Sequence, residues 1–450
     1  MFDYCVNDED QFENRREMAW QSLVHVCRRW RSIIFASPRH LKLQLVCQER
    51  TPARDMLDVW PALPLIISCF GGYQAGSVDN IIAVLERSGR VCQIKIVNIQ
   101  SSNLEIILAA MQQPFPELTD LSLQCRETVP VVPDSFLGGS APRLEYLRLS
   151  HIPFPGLPKL LLSATHLVRL RLTNIPHSGY ISPKAMVTAL SALTSLEELT
   201  LEFQSPRSCP DRASPHPPPT RFVLSILKRF TFKGVSEYME ELVARIDSPQ
   251  LTFLGITFFN DIIYDTPELM QLISRTPISR ALHKAHITLR KRDANLYVSS
   301  CTSGDGKIEM KILCRGLEWQ LSSLEQVYTS CSPFFSMLED LYIYEDPYSP
   351  PDQKDDIENG LWLEPLHPFT TVNNLYISDV IAQRIGSALQ ELAEGRMTEV
   401  LPTLQNIFLV GYPTYRVPEG IEKLVAARRV ASRPIVFSDW PNAGRDKVYY

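Results

Sequence analysis

The sequence predicts an α/β solenoid, with short parallel strands on one side and helices on the other. Three observations predict it. First, a phrase of spacing L-x-x-L-x-L recurs in LTDLSL from Leu118, LEYLRL from Leu144, LVRLRL from Leu167 and LEELTL from Leu196. Looser copies begin at Val91 (VCQIKI), Leu227 (LKRFTF), Leu251 (LTFLGI), Leu338 (LEDLYI), Val372 (VNNLYI) and Leu404 (LQNIFL). Second, helical patterns separate the copies: SVDNIIAVLERSG (77–89), NLEIILAAMQQ (103–113), SPKAMVTALSAL (182–193), VSEYMEELVARI (235–246) and DVIAQRIGSALQELAEG (379–395). Third, the chain has 450 residues and 45% hydrophobic content, enough to bury a core that long.

In each phrase the last two leucines alternate onto one face of a strand, and the leucine three places earlier enters the core from the preceding turn. First positions from Val91 to Leu251 are 27, 26, 23, 29, 31 and 24 residues apart, the period of leucine-rich repeats. One such unit cannot cover its own apolar face, so stacked units share a core. Ser182-Pro183 and Thr266-Pro267-Glu268 supply helix starts, a capping hydroxyl followed by proline at the first helical position.

The repeats are uneven. None of the copies has Asn or Cys at the ninth place of the phrase, where a regular repeat satisfies buried turn backbone. A proline-rich insertion (205–220) and an acidic one (345–358) read as surface loops. ANLYVSSCTSGDGKIEMKILC (294–314) reads as two strands joined around Gly304-Asp305-Gly306, a hairpin that interrupts the parallel pattern. The domain reading is a helical segment over 1–40 followed by one solenoid over 41–450.

Composition excludes several function classes. A formal charge of -5 gives no global field for nucleic acid or an anionic membrane. No apolar run reaches the roughly 18 to 20 residues of a membrane span, and MFDYCVNDED is acidic where a signal peptide is basic. The ten cysteines are scattered singly, without zinc-finger spacing, and no N-x-S/T sequon occurs. A soluble, unexported chain of the cytoplasm or nucleus is expected, with no cofactor or metal. Catalytic signatures are missing as well: GDGK (304–307) lacks the first glycine of a phosphate loop and runs into Ile308, and His283 and His286 in HKAH have no third ligand beside them. A non-catalytic protein follows, with an uncharacterised hydrolase as the remote alternative.

The N-terminal stretch LVHVCRRWRSIIFASPRHLKLQL (23–45) carries the remaining signal. Trp20, Leu23, Val24, Cys27, Trp30 and Ile34 fall nearly on one helical face, with Arg28, Arg29 and Arg31 elsewhere on the cylinder. Pro38 ends the helix, and Leu41, Leu43 and Leu45 alternate as a first strand. As plain structure this is an end cap on the repeats. The pattern L-x-x-V-C-x-x-W-R-x-I, followed by proline and a leucine-rich strand, resembles the second half of an F-box. With RTPARDMLDVWPALPLII (50–67) and PEGIEKLVAARRVASRPIVFSDW (418–440), the chain is similar to fungal F-box proteins with degenerate leucine-rich repeats.

The resemblance implies a substrate receptor of a cullin-based ubiquitin ligase, binding the adaptor Skp1 through the F-box and a protein target through the repeats. Leu23, Cys27, Trp30 and Ile33 or Ile34 correspond to retained F-box positions, and Phe2 to the end of its first helix. The opening Leu-Pro pair of the family has no counterpart. Target contacts are expected at variable positions of the phrase: Glu145, Arg148, Arg169, Arg171, Glu198 and Thr200. An adaptor-independent repeat scaffold is the alternative.

Overall fold

The computed structural model describes residues 24–36, 44–48, 52–60, 62–70, 76–125, 131–206, 221–259, 266–280, 282–300, 306–331, 335, 337–346, 350, 358–395, 400–410 and 417–439. Phe2, Trp20, Leu23, Leu41, Leu43, Gly304, Asp305 and most of both insertions lie outside them. The chain divides into two compact units between Gln204 and Ser205.

The N-terminal unit carries seven strands: β1 (Leu45–Gln48), β2 (Leu65–Phe70), β3 (Val91–Ile99), β4 (Asp120–Cys125), β5 (Tyr146–Ser150), β6 (Arg169–Ile175) and β7 (Glu198–Phe203). Each pairs in parallel with the next. The register aligns the repeated phrase across strands, Leu121 with Leu147, Leu170 and Leu199, and Leu123 with Leu149, Leu172 and Leu201. All eight leucines are buried, as are the first-position Leu118, Leu144, Leu167 and Leu196. The helices Gly76–Leu85, Ser101–Ala110 and Pro183–Leu190 fall where the sequence places them.

The C-terminal unit holds β8 (Phe222–Val223), β9 (Arg229–Gly234), β10 (Ile246–Asp247), β11 (Phe253–Phe259), β12 (Lys284–Leu289), β13 (Ala294–Ser299), β14 (Lys307–Leu313), β15 (Asp340–Glu345), β16 (Asn374–Ser378), β17 (Asn406–Val410) and β18 (Val436–Asp439). Its main strands run in the order β9-β11-β14-β13-β12-β15-β16-β17-β18, while β8 and β10 pair by themselves. The expected hairpin is β13 against β14, antiparallel. It does more than interrupt the pattern: β13 is also antiparallel to β12, so β11 meets β14 and β12 meets β15, both in parallel. HKAH therefore belongs to a strand and its approach. This is the leucine-rich-repeat-like α/β architecture, with a three-strand meander set into the C-terminal unit.

Local chemistry explains several departures. Ser182 caps its helix as expected, its Oγ accepting from Ala185 N at 3.3 Å. Thr266 does not; its buried Oγ1 has no partner among the described residues, and the Glu240 carboxylate caps that helix instead, accepting from Glu268 N and Leu269 N at 3.0 and 2.9 Å. The backbone turns left-handed one place before the regular ninth position, at Asn98, His151 and Asn174 (φ 59, 61 and 51°). Each is the eighth residue of its phrase, so the strand exit is built from a residue tolerant of that region. In the C-terminal unit, helices Asp379–Gly395 and Glu419–Val430 cross where Gly420 approaches the Gly386 carbonyl so closely that a Cβ would lie 1.7 Å from it. Buried Arg428 donates to the carbonyls of Val400, Leu401 and Pro402 at 3.1, 3.2 and 3.4 Å, in a turn where Leu404 N also donates to the Leu401 carbonyl.

Candidate interaction surfaces

Three surfaces gather the residues that the repeats leave outside the core. The first is the N-terminal helix. Its pattern is not continuous: the helix is interrupted at His25–Cys27 and resumes over Arg28–Ala36. Two side-chain interactions fix the break, Trp30 N donating to Cys27 Sγ at 3.5 Å and Arg31 Nε donating to the Val24 carbonyl at 3.1 Å. Arg31 is thus tied to the turn rather than left wholly in solvent.

The helix docks through Val24 and Ile34, which form an apolar cluster with Leu63, flanked by Phe35 and Trp60. Trp60 takes the rings of His25 and Phe35 edge-on at 6.1 and 6.0 Å. Of the residues expected at an adaptor contact, Ile34 is spent in this cluster, Trp30 is half-buried, and Cys27 and Ile33 are exposed, Ile33 at 44%. Val26 stands out further, at 59%.

The second surface is the outward face of β4 to β7, where the third and fifth places of the phrase project. Register sets Arg148 beside Arg171 and Arg169 beside Glu198. Glu198 accepts from Arg171 Nη2 through both oxygens, at 2.9 and 3.0 Å, and lies 3.7 Å from Arg169 Nε. Four of the six expected target residues therefore come together. Thr200 lies in the same row as the register partner of Arg171 but is buried, and Glu145 precedes β5, where its carbonyl anchors Val168 N and Arg169 N while its side chain is exposed.

The third surface was not anticipated from the sequence. On the same phrase position in the C-terminal unit, His286, Tyr342, Tyr376 and Phe408 occupy one row of four adjacent strands. Their rings stack at centroid separations of 4.2, 4.2 and 4.6 Å, within 12° of parallel. Tyr297 meets His286 edge-on at 6.0 Å. Beside this ladder runs a polar one: Asn406 donates to Asn374 Oδ1 and Asn374 donates to Asp340 Oδ1, each at 2.7 Å, with Lys284 3.9 Å from Asp340. Burial, reinforced by the Lys284 ammonium, pushes the His286 imidazole down to about 4, so it stacks as the neutral ring. The signal was present in the sequence, an aromatic at the fifth place of LEDLYI, VNNLYI and LQNIFL.

Among the described residues no three His, Cys, Asp or Glu side chains are grouped to hold a metal ion, and no helix is long and apolar enough to cross a membrane. No protein-family model and no curated protein matches the chain. The similar solved structures include two at 14% identity each: the TLR13–ssRNA13 complex, with 81% of this chain aligned to 45% of that one at a TM-score of 0.32, and the leucine-rich repeat-containing protein LegL7 from Legionella pneumophila, with 87% aligned to 98% at 0.28. The chain thus spans under half the length of TLR13, and the architecture stands on its own strand order and register.

Proposed function

We propose that this protein is a target receptor of the F-box kind: its N-terminal helix docks a Skp1-like adaptor, and through it a cullin, while the outward strand face of the repeats holds a protein target. The observation that carries this reading is the division of the helix. Val24 and Ile34 anchor it, while Val26 and Ile33 face solvent together with Cys27 and Arg28. A helix serving only as an end cover has no need of exposed β-branched side chains beside its arginines. Aliphatic anchors rimmed by cations suit an acidic partner with an apolar groove. The chain performs no chemistry in this reading; it raises the effective concentration of its target near the ubiquitin carried by partner subunits.

Pull-down with purified Skp1 tests it, using the native chain and Ile33→Asp, whose side chain lies outside the Val24–Ile34–Leu63 cluster. Capture by the native chain and loss in the variant, with unchanged circular dichroism, is the expected result. No capture by the native chain would sink the adaptor assignment. The packing of Phe35 and His25 on Trp60 favours a second reading in that event, an adaptor-independent repeat scaffold whose first helix is a cap.

A further inference from the structure

The outward face of β5 and β6 carries more positive charge than it neutralises. We propose that Arg148, with Arg169 and Arg171, receives an anionic side chain, a carboxylate or a phosphate, from an extended segment of the target. The proposal rests on the receptor reading and specifies the chemistry of its target.

Of the three guanidinium groups two share one carboxylate, Glu198, which takes a forked bond from Arg171 and lies within ion-pair distance of Arg169. Arg148 has no ion pair among the described residues, and its Nε is closed off from water without a hydrogen-bond partner. Asp120, on the next strand, is held by other partners: its Oδ2 accepts from Thr119 Oγ1 at 2.6 Å and from Gln93 Nε2 at 3.3 Å. Arg148 and Arg171 are direct register partners on parallel neighbouring strands. Like charges so placed repel, and a shared anion turns that repulsion into two charge-assisted contacts. On its other side Arg148 faces Ser122, a short and buried side chain, so the anion's approach is not blocked from β4. The planar forks of Arg148 and Arg171 suit the oxygens of carboxylate and phosphate alike.

Fluorescence anisotropy on the full chain tests this with labelled synthetic peptides in which glycine alternates with glutamate, phosphoserine or glutamine. Binding of the glutamate or phosphoserine peptide, weakening with added salt, and no binding of the glutamine peptide are expected; the tighter of the two anions identifies the source. Arg148→Gln should weaken that binding about tenfold without lowering the melting temperature. Arg169→Gln, at a side chain 60% exposed, is the second variant should the first fold poorly. Equal binding of the glutamine peptide, no binding of any peptide, or unchanged affinity in both variants would overturn the proposal. Skp1 capture, measured on the same preparations, separates the two readings: capture without anion binding overturns only this inference, and anion binding without capture overturns only the adaptor assignment.

Discussion

The fifth place of the repeated phrase is used in opposite ways by β3 to β7 of the N-terminal unit and by β12 and β15 to β17 of the C-terminal unit, while β9 and β11 hold Thr231 and Gly255 there. In β3 to β7 it holds Lys95, Ser122, Arg148, Arg171 and Thr200; in β12 and β15 to β17 it holds His286, Tyr342, Tyr376 and Phe408. The backbone frame is the same, parallel strands in register with buried aliphatic side chains behind. The difference teaches that a repeat's outward row is free to be spent on itself or kept for a partner. Four stacked rings and an Asn–Asp ladder hold neighbouring strands together from outside. Arginines sharing a single carboxylate do little of that, because partly exposed ion pairs contribute roughly 1 kcal/mol or less.

Changes behind the sheet should ignore this distinction. Leu147→Ala and Leu375→Ala, both fully buried, should each cost about 2–5 kcal/mol in urea denaturation. A cost confined to one unit would mean that the two are not built alike. In front of the sheet the units should part. Asn374→Ala removes one hydrogen bond to Asp340 and one from Asn406, and should destabilise by roughly 1–2 kcal/mol.

Stability should also fall with acidity in a way traceable to the aromatic row. His286 has a folded-state pKa near 4, below its ordinary 6.5, so its contribution is complete above pH 6.5 and drains away as pH falls toward 4. His286→Phe keeps a ring in the stack without a titrating group, so melts of the variant should lose that part of the pH slope. An unchanged slope would place the acid sensitivity elsewhere. The smallest effect is expected at the basic row: Glu198→Gln should shift stability by under about 1 kcal/mol, less in high salt.

How legible all this was in the sequence follows from the range of the interactions. The phrase is a local pattern with a fixed period, so strands β3 to β7 and β15 to β17 could be read directly, and the helix Asp379–Gly395 to the residue. The meander β12–β13–β14 could be read only as a hairpin, because its second pairing joins segments that no motif links. The cap on Pro267–Ser274 was misassigned to Thr266 because Glu240, from another helix, reaches it first. The arginines of the second surface were legible as outward positions, but their sharing of Glu198 needed the register. Thr200 holds an expected outward place beside Arg171 and is nonetheless buried, which the phrase alone does not tell. The aromatic ladder was written in one column of the phrase and visible only once copies were aligned by strand.

The aromatic row of β12 and β15 to β17 is committed to the protein's own cohesion, and the basic row of β5 and β6 contributes little to it. Urea denaturation of Arg171→Ala and Tyr376→Ala, each read against the native chain, tests it most directly. Tyr376→Ala breaks both of its stacking contacts and should cost about 1–3 kcal/mol, whereas Arg171→Ala should stay within about 1 kcal/mol of the native protein. Equal losses in the two variants, or the larger loss in Arg171→Ala, would contradict it.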